Sequence, residues 1–457
     1  MRSSKQSTVY VCESCNYTAM KWEGRCPSCT QWNTLIETSK PRPTQQNQAI
    51  GWLDYADSKP HELSGISSQG IYRSKTSSKE LNRVLGGGIV PGSLILISGA
   101  PGIGKSTLLL KLAMERATAK NPSIYIAGEE STSQIKIRSV RLGLSGDNLY
   151  VLQCTDLERV FSTLGKFQPS IVVVDSIQTM FDRSLHAGVG SLTQIRECTR
   201  KMMIWAKDND VSVILTGHVT KDGDVAGPKS LEHIVDVVIN MEGDLINSWR
   251  MLRPVKNRFG STEEIGMCEM TDTGIVDLED PSRSFIDERR KDSIGSTIVC
   301  VMEGNRPMLL EIQALTSPSF MPNARRISTG IDLSRLHLVC AILSKRAGIN
   351  LNNQDIVVNV TGGFKITEPA ADLGMALAIA SNIIGSPIGL GMAVIGELGL
   401  NGEIRRVFHL ERRIDEVKRL GLKQCLVPGA IGNSKFSNNE LQIINANTLV
   451  GALEFIK

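Results

Sequence analysis

Between residues 66 and 285, short apolar runs alternate with stretches of helical spacing. Leu94–Ile97, Ile124–Ile126, Ile171–Val174 and Val211–Leu215 are such runs, rich in β-branched residues. Consecutive apolar positions mean burial on both faces, so the pattern predicts an α/β fold: a parallel sheet with helices on each side. After residue 286 the pattern changes to α+β. Strand-like Thr297–Val301 and Met308–Ala314 come first, followed by helical spacing over 333–346, 370–383 and 408–420. Residues 373–396 carry no charge and are long enough for a membrane span. Gly385-Ser386-Pro387 divides them, so a buried helix and then a core strand are predicted, and no membrane contact. Two segments follow neither period: 39–65, polar with Pro41, Pro43 and Pro60, reads as a linker, and charged Arg283–Lys291 as a hinge. Residues 1–38 are short and Cys-rich. The expected organisation is therefore 1–38, a linker at 39–65, an α/β domain at 66–285 and an α+β domain at 286–457.

Length supports that division, because 457 residues suggest about three domains. Lys and Arg number 51 against 47 Asp and Glu, a net charge of +4, which excludes a general polycation and leaves room for local basic patches. Ten Cys are present, four of them within 12–29 and six scattered singly, unlike a secreted disulfide framework. A reducing, cytoplasmic setting is expected, and Met1–Gln6 leads into no apolar signal segment.

The four clustered cysteines form two knuckles, Cys12-x2-Cys15 and Cys26-x2-Cys29. Each CxxC turn presents two thiolates, and two turns complete a closed tetrahedral set for Zn²⁺ with no open position for catalysis. A domain this short cannot build an adequate core, so the metal would supply folding energy. A pair of redox CxxC motifs is the alternative. Trp22 and Trp32 are placed to pack over the site, and Lys21 and Arg25 either contact nucleic acid or are solvated.

Gly99-Ala100-Pro101-Gly102-Ile103-Gly104-Lys105-Ser106-Thr107 satisfies GxxxxGK[ST] between a strand and a helix, the context that makes it a phosphate-binding loop for ATP or GTP. Backbone N–H groups cradle the phosphates, Lys105 reaches the β- and γ-phosphates, Ser106 ligates Mg²⁺ and Thr107 lies near the α-phosphate. Asp175 ends an apolar strand, the position of a carboxylate that holds Mg²⁺ through water; a helix N-cap is the bland alternative. Glu129 and Glu130 follow another strand, and one of them can polarise the attacking water. Glu129 is preferred; Glu130 can instead serve the start of a helix near Ser131. His218 ends a strand and opens the loop 219–229, which carries Lys221 and Lys229: a γ-phosphate sensor and a nucleic-acid contact, or a surface loop. Lys256-Asn257-Arg258-Phe259-Gly260 follows a strand. Spacing alone reads as a solvated turn, although basic residues at a strand end can also act on a neighbouring subunit's nucleotide.

Taken together, the four-cysteine ribbon, Gly99–Thr107, Glu129, Asp175, the stretch Thr216–His233, Lys256–Gly260 and the C-terminal block resemble the bacterial RadA (Sms) family. The resemblance covers nearly the whole chain. It implies a RecA-like, DNA-dependent ATPase with ATP, Mg²⁺ and Zn²⁺, assembling as a hexameric ring on single-stranded and branched DNA. Branch migration, helicase-like movement and the recombinase RecA as partner come with it. It implies that Lys256 and Arg258 act across the subunit interface, with Asn257, Phe259 and Gly260 in the same coupling motif. The loops 182–192 and 219–229 would face the channel. The C-terminal block resembles the proteolytic domain of Lon, with an S5-like α+β fold. Where Lon carries a Ser–Lys dyad, this chain has Ala370 and Glu411, so peptidase activity is not expected.

The same region is rich in base: Arg405, Arg406, Arg412, Arg413, Lys418 and Arg419, with Arg325-Arg326 as a second pair. Arg412, Glu416 and Arg419 are spaced as helix-face neighbours, hence partly a solvated, salt-bridged face. Arg405 and Arg406 precede the helix without close acids, and with Arg325 and Arg326 they are the expected DNA contacts of this domain. Two other readings stand beside the motor: a nucleotide-gated DNA-binding scaffold without translocation, and an ATP-dependent protease, which Ala370 and Glu411 oppose.

Overall fold

The structure is a computed structural model. It describes residues 8–13, 15, 17–19, 21–39, 72–218, 228–243, 248–286, 289–290, 293–321, 323–389, 391–429 and 441–456. The chain divides into two compact units, Met1–Asp277 and Leu278–Lys457. The expected linker 39–65 lies outside the described residues except for its first residue.

The ribbon's strands are β1 (Thr8–Cys12), β2 (Thr18–Ala19) and β3 (Leu35–Ser39), in a small antiparallel sheet of order β2-β1-β3. The rest of the first unit runs α1 (Lys79–Val84), β4 (Leu94–Gly99), α2 (Lys105–Arg116), β5 (Ser123–Ala127), α3 (Thr132–Arg141), β6 (Leu149–Leu152) and α4 (Leu157–Leu164). It continues β7 (Ile171–Asp175), α5 (Leu192–Asp208), β8 (Ser212–His218), α6 (Pro228–Leu231), β9 (Val237–Glu242), β10 (Trp249–Asn257), β11 (Gly266–Thr271) and β12 (Gly274–Asp277).

Its described strands form a nine-stranded sheet of order β12-β11-β10-β9-β4-β8-β7-β5-β6. The six strands from β9 to β6 are parallel, as the apolar runs predict. Successive residues of each run go to opposite sides. Ile95, Ile97, Tyr125 and Val173 pack with α2 residues in one cluster, while Leu94, Leu96, Ile124, Val172 and Val174 pack with α4 and α5 in the other. Burial on both faces is therefore what the consecutive apolar positions encode. The sheet departs from the expectation at one edge, where β10, β11 and β12 add antiparallel strands. Short turns permit that antiparallel return, whereas a parallel one needs a long crossover.

The second unit comprises α7 (Pro281–Ile286), β13 (Ser296–Glu303), β14 (Arg306–Pro318), β15 (Arg326–Thr329), α8 (Leu333–Arg346), β16 (Gln354–Val360), α9 (Asp372–Ile384) and β17 (Met392–Val394). It closes with β18 (Glu397–Leu398), β19 (Ile404–Arg405), α10 (Leu410–Arg419), β20 (Gln424–Pro428), β21 (Gln442–Ala446) and α11 (Leu449–Leu453). Seven described strands form a mixed sheet of order β15-β16-β14-β13-β17-β20-β21. The uncharged stretch resolves into buried α9 and core strand β17, separated at Gly385, whose φ of 76° ends the helix. A Cβ on Gly374 would lie 2.1 Å from Val299 Cγ1, so a glycine is required where α9 meets β13. No described helix is long and apolar enough to cross a membrane.

The charged segment read as a hinge begins instead in helix α7, and Arg289 is folded in: its Nε donates to Ser296 Oγ at 2.8 Å and it pairs with Glu311 at 3.8 Å. Charge density signals solvent only when the charges lack partners, and here a buried carboxylate lies within reach.

Candidate functional site

Cys12 and Cys15 leave the end of β1, and Cys26 and Cys29 sit on the second turn. All four sulfurs lie within 4.8 Å of one another, with Cys12 and Cys29 at 3.6 Å and Cys15 and Cys26 at 3.5 Å. Thiolates at the Zn–S bond length of about 2.3 Å stand about 3.8 Å apart in a tetrahedron, so the set fits zinc. A bound ion there would be structural, because all four positions are taken by sulfur. Trp22 and Trp32 are both exposed and flank Gly24, and the Arg25 guanidinium sits 5.8 Å from the Trp32 ring centroid.

The phosphate loop leaves the carboxyl end of β4, a central strand, and enters α2 at Lys105. Gly102 and Gly104 have φ of 76° and 114°, and a Cβ on Gly104 would lie 2.4 Å from Met270 Cε. The positive φ at both positions is what favours glycine there, while the Met270 methyl is the flexible end of its side chain. Ala100 and Pro101 lie on the exposed turn of the loop, while buried Ile103 anchors it. Gly99 pairs with Met241 in the sheet. Lys105 is buried, and its Nζ donates to the carbonyls of Gly99 and Ala100 at 2.8 and 2.9 Å. Burial pushes its pKa down, against the fields of Asp175 and Glu129, which hold it up. That opposition puts the lysine and both acids in one electrostatic neighbourhood. Ser106 and Thr107 follow on the first turn of α2. Ser106 and Asp175 offer the hard oxygens that Mg²⁺ prefers, and Mg²⁺ there would neutralise phosphate charge.

Asp175 ends β7 and is not a helix cap: its Oδ1 accepts from Thr216 Oγ1 at 2.6 Å and its Oδ2 from the Tyr125 hydroxyl. Burial, then the Asp175 charge, drives the Tyr125 pKa well up, so it stays a donor. Beyond β5 the two glutamates separate. Glu129 accepts from Ser176 Oγ at 2.5 Å, while Glu130 pairs with Arg138. The cap of α3 is Ser131 in a reciprocal box with Gln134, so Glu130 has no capping role.

The structure thus brings Gly99–Thr107, Glu129 and Asp175 together at the carboxyl ends of parallel strands, where such sheets bind ligands. It does not bring Lys256–Gly260 there. Lys256 and Asn257 pair with Val238 and Val237 at the amino end of β9, whereas Gly99 pairs with Met241 near its carboxyl end. The intervening residues of β9 span about 13 Å at 3.3 Å each. Lys256 Nζ donates to the carbonyls of Glu232 and Val235 at 2.5 and 2.8 Å, and burial, then Arg258, lowers its pKa. Arg258 pairs with Asp236 at 3.2 Å; Asn257 bonds Val84 O at 3.1 Å; Arg73 bonds Phe259 O at 2.8 Å; and Gly260 packs on Gly86. The pentapeptide is knitted into the fold rather than being a solvated turn.

His218 ends β8 and Lys229 lies on α6, whereas Lys221 and positions 219–227 lie outside the described residues. The segment 182–192 starts from a fixed point: buried Asp182 pairs with Lys201, and its Oδ1 accepts from Ser184 N at 2.9 Å.

In the second unit, Arg325 is exposed, but Arg326 donates to the carbonyls of Gln354 and Leu351 at 2.5 and 2.8 Å. Arg405 does have a close acid: it pairs with Glu403, two positions back, at 2.7 Å, while Arg406 is exposed. Arg419 pairs with Glu416 at 2.7 Å, as helix spacing requires, and Arg412 bonds Asn305 at 3.0 Å instead. Arg413 does not belong to a surface cluster at all; it is 1% exposed and pairs with Glu368 at 2.6 Å. Ala370 is buried and Glu411 lies on the first turn of α10.

Sequence reading missed Arg250, whose buried Nε donates to Ile103 O at 3.0 Å and pins the phosphate loop. An arginine between Trp249 and Met251, in the apolar first part of β10, was its only signal. Tyr125, Thr216 and Ser176 carried none, because hydroxyl residues in strands are common.

Together these features define a P-loop ATPase of the AAA/RecA-like class with an N-terminal zinc ribbon. Residues 60–224 match the AAA domain family, residues 10–37 a rubredoxin metal binding domain, and residues 329–431 the family of subunit ChlI of Mg-chelatase. The DNA repair protein RadA of Halalkalibacterium halodurans is 44% identical over 99% of both chains, and that of Listeria monocytogenes likewise. The Bacillus subtilis protein is 44% identical over 98% of both. The chain belongs to the RadA family of DNA repair proteins.

Proposed function

We propose that the chain is a DNA-dependent ATPase that works as a ring, binds single-stranded and branched DNA, and promotes branch migration beside the recombinase RecA. The observation that carries the reading is the separation within one chain: Gly99–Thr107 at the carboxyl end of the parallel strands and Lys256–Arg258 at the amino end. A cation there has no access to its own chain's phosphates, so a catalytic role for Lys256 and Arg258 requires a neighbour's nucleotide. A closed ring, hexameric by family resemblance, supplies every site with such a neighbour.

Within each site, Lys105 and the loop amides hold the phosphates, Asp175 and Ser106 hold Mg²⁺, and Glu129 orients the attacking water. Glu130 is the weaker candidate because Arg138 occupies it. In this reading the motor domain expected at 66–285 ends with its unit at Asp277, 39–65 is the linker to the ribbon, and the Lon-like domain without its dyad, expected at 286–457, also takes in α7. Ala370 and Glu411 support the last point, since neither side chain can act as a nucleophile–lysine pair. His218, Lys221, Lys229, Arg325 and Arg406 are the DNA-side candidates, with Arg405 and Arg326 weakened by their partners. The six cysteines outside the ribbon carry no disulfide, in keeping with a reducing, cytoplasmic setting.

The experiment mixes two variants expected to lack DNA-stimulated turnover, Lys105→Ala, which abolishes hydrolysis, and Lys256→Ala, which uncouples it from DNA. Each lacks one half of the site, so mixed rings should recover DNA-stimulated ATP hydrolysis that neither shows alone. No recovery at any mixing ratio would refute action across an interface. Strand displacement on a forked duplex then separates a motor from a scaffold, which would hydrolyse ATP at a DNA-independent rate and displace nothing.

A further inference from the structure

Ser176 is fully buried immediately after Asp175, and its hydroxyl donates to Glu129 Oε1 at 2.5 Å. Glu129 itself is exposed at the tip of β5, on a side chain with three rotatable bonds. Left alone, such a carboxylate samples many rotamers, and water activation needs one. The Ser176 hydroxyl, bonded to Oε1, favours one of those rotamers.

Its own position is set by a short turn. Thr179 Oγ1 donates to Ser176 O at 2.8 Å, within the 3-10 turn Ile177–Thr179. The same Thr179 presses on the strand end that carries the glutamate: a Cβ on Gly128 would lie 1.8 Å from Thr179 Oγ1. Gly128 N also donates to Asp175 O at 2.8 Å. On its far side the turn runs into a fixed point, where Asp182 N donates to Gln194 Oε1 at 2.8 Å and Gln194 Nε2 returns a bond to Asp182 O at 3.0 Å. Glu129, Ser176, Thr179 and Asp182 thus form one short, packed path from the water-activating position to the start of the segment 182–192.

We infer that Ser176 is the positioning residue for Glu129, and that the turn Ile177–Thr179 links the setting of that carboxylate to the segment beginning at Asp182. This rests on the reading of Glu129 as the group that orients water. Fully buried Ser176 acts through Glu129 in this inference, by the bond it donates to that carboxylate. Consecutive residues at the exit of β7 would then have separate tasks, Asp175 as the acid that would hold the metal and Ser176 as the partner of Glu129.

The test uses the full-length protein and three variants: Ser176→Ala, Glu129→Gln and the double variant. Ser176→Ala should lower kcat about 10- to 100-fold, the range of a hydrogen bond to a charged group, with ATP affinity by equilibrium titration unchanged. In the double variant kcat should equal that of Glu129→Gln alone, because a hydroxyl acting only through a carboxylate loses its effect once the carboxylate is gone. Multiplied losses in the double variant would overturn the inference, since a purely structural role adds independently. Wild-type kcat in Ser176→Ala with an impaired Glu129→Gln would overturn it too and leave the role of Glu129 standing. Wild-type kcat in Glu129→Gln would overturn the reading of Glu129 itself. Should Ser176→Ala not fold, Thr179→Val removes the bond to Ser176 O at near-constant volume and must show the same non-additivity with Glu129→Gln.

Discussion

Arg413 separates a basic residue that builds the fold from those that face solvent. Replacing it with Met keeps most of its volume and removes the guanidinium. Its Nη1 donates to Cys300 O at 2.5 Å and to Glu368 Oε1 at 2.8 Å, its Nη2 to Glu368 Oε2 at 2.6 Å and its Nε to Phe408 O at 3.0 Å. The substitution strands the Glu368 carboxylate and both carbonyls. Stranding one partner of a buried pair costs about 3–5 kcal/mol. Glu368 is 24% exposed and keeps a bond from Met302 N at 2.6 Å, so the lower end applies, about 3 kcal/mol. For a unit spanning 278–457, at roughly 2–4 °C per kcal/mol, the melting temperature falls by roughly 6–12 °C. Scanning calorimetry of the full chain reads this, with Arg405→Met as the control: its pair with Glu403 is exposed and worth about 1 kcal/mol at most. The double variant Arg413→Met/Glu368→Met removes the stranded charge and should recover at least half of the loss. A shift below about 2 °C for Arg413→Met, or a double variant as unstable as the sum of the singles, would refute the reasoning.

Three further outcomes follow from the sites. Glu129→Gln should lower kcat by about 10²–10⁴-fold with ATP still bound, while Glu130→Gln, which disturbs only the pair with Arg138, should stay within an order of magnitude; single-turnover hydrolysis distinguishes them. Chelation should remove one zinc per chain and unfold the ribbon while the ATPase core keeps its melting temperature, since a domain of this size lacks the core to fold without its metal; metal analysis and circular dichroism check both. Lys256→Ala should retain ATP binding and lose stimulation by single-stranded DNA, and normal stimulated turnover in that variant would remove the residue from the mechanism.

Sequence alone determined what depends on local order. The parallel core was legible because consecutive apolar residues mean burial on both faces, and the observed clusters divide those runs residue by residue between the two sides. The phosphate loop and the cysteine knuckles were legible because their ligands lie within a few residues of each other, so spacing is geometry. Tertiary structure decided everything that depends on which distant partner a side chain meets. Arg413, Arg326 and Arg289 read as solvent-facing charge until Glu368, the carbonyls of Leu351 and Gln354, and Glu311 were found beside them. Sequence position gives Glu129 only a preference over its neighbour Glu130; their different partners, Ser176 for Glu129 and Arg138 for Glu130, came from the fold. The motif Lys256–Gly260 was recognisable in sequence, but its distance from its own chain's phosphate loop follows from the antiparallel return of β10 along β9. A charge or hydroxyl has many possible partners along a chain of 457 residues, and its role is set by the one that folding brings within hydrogen-bond reach.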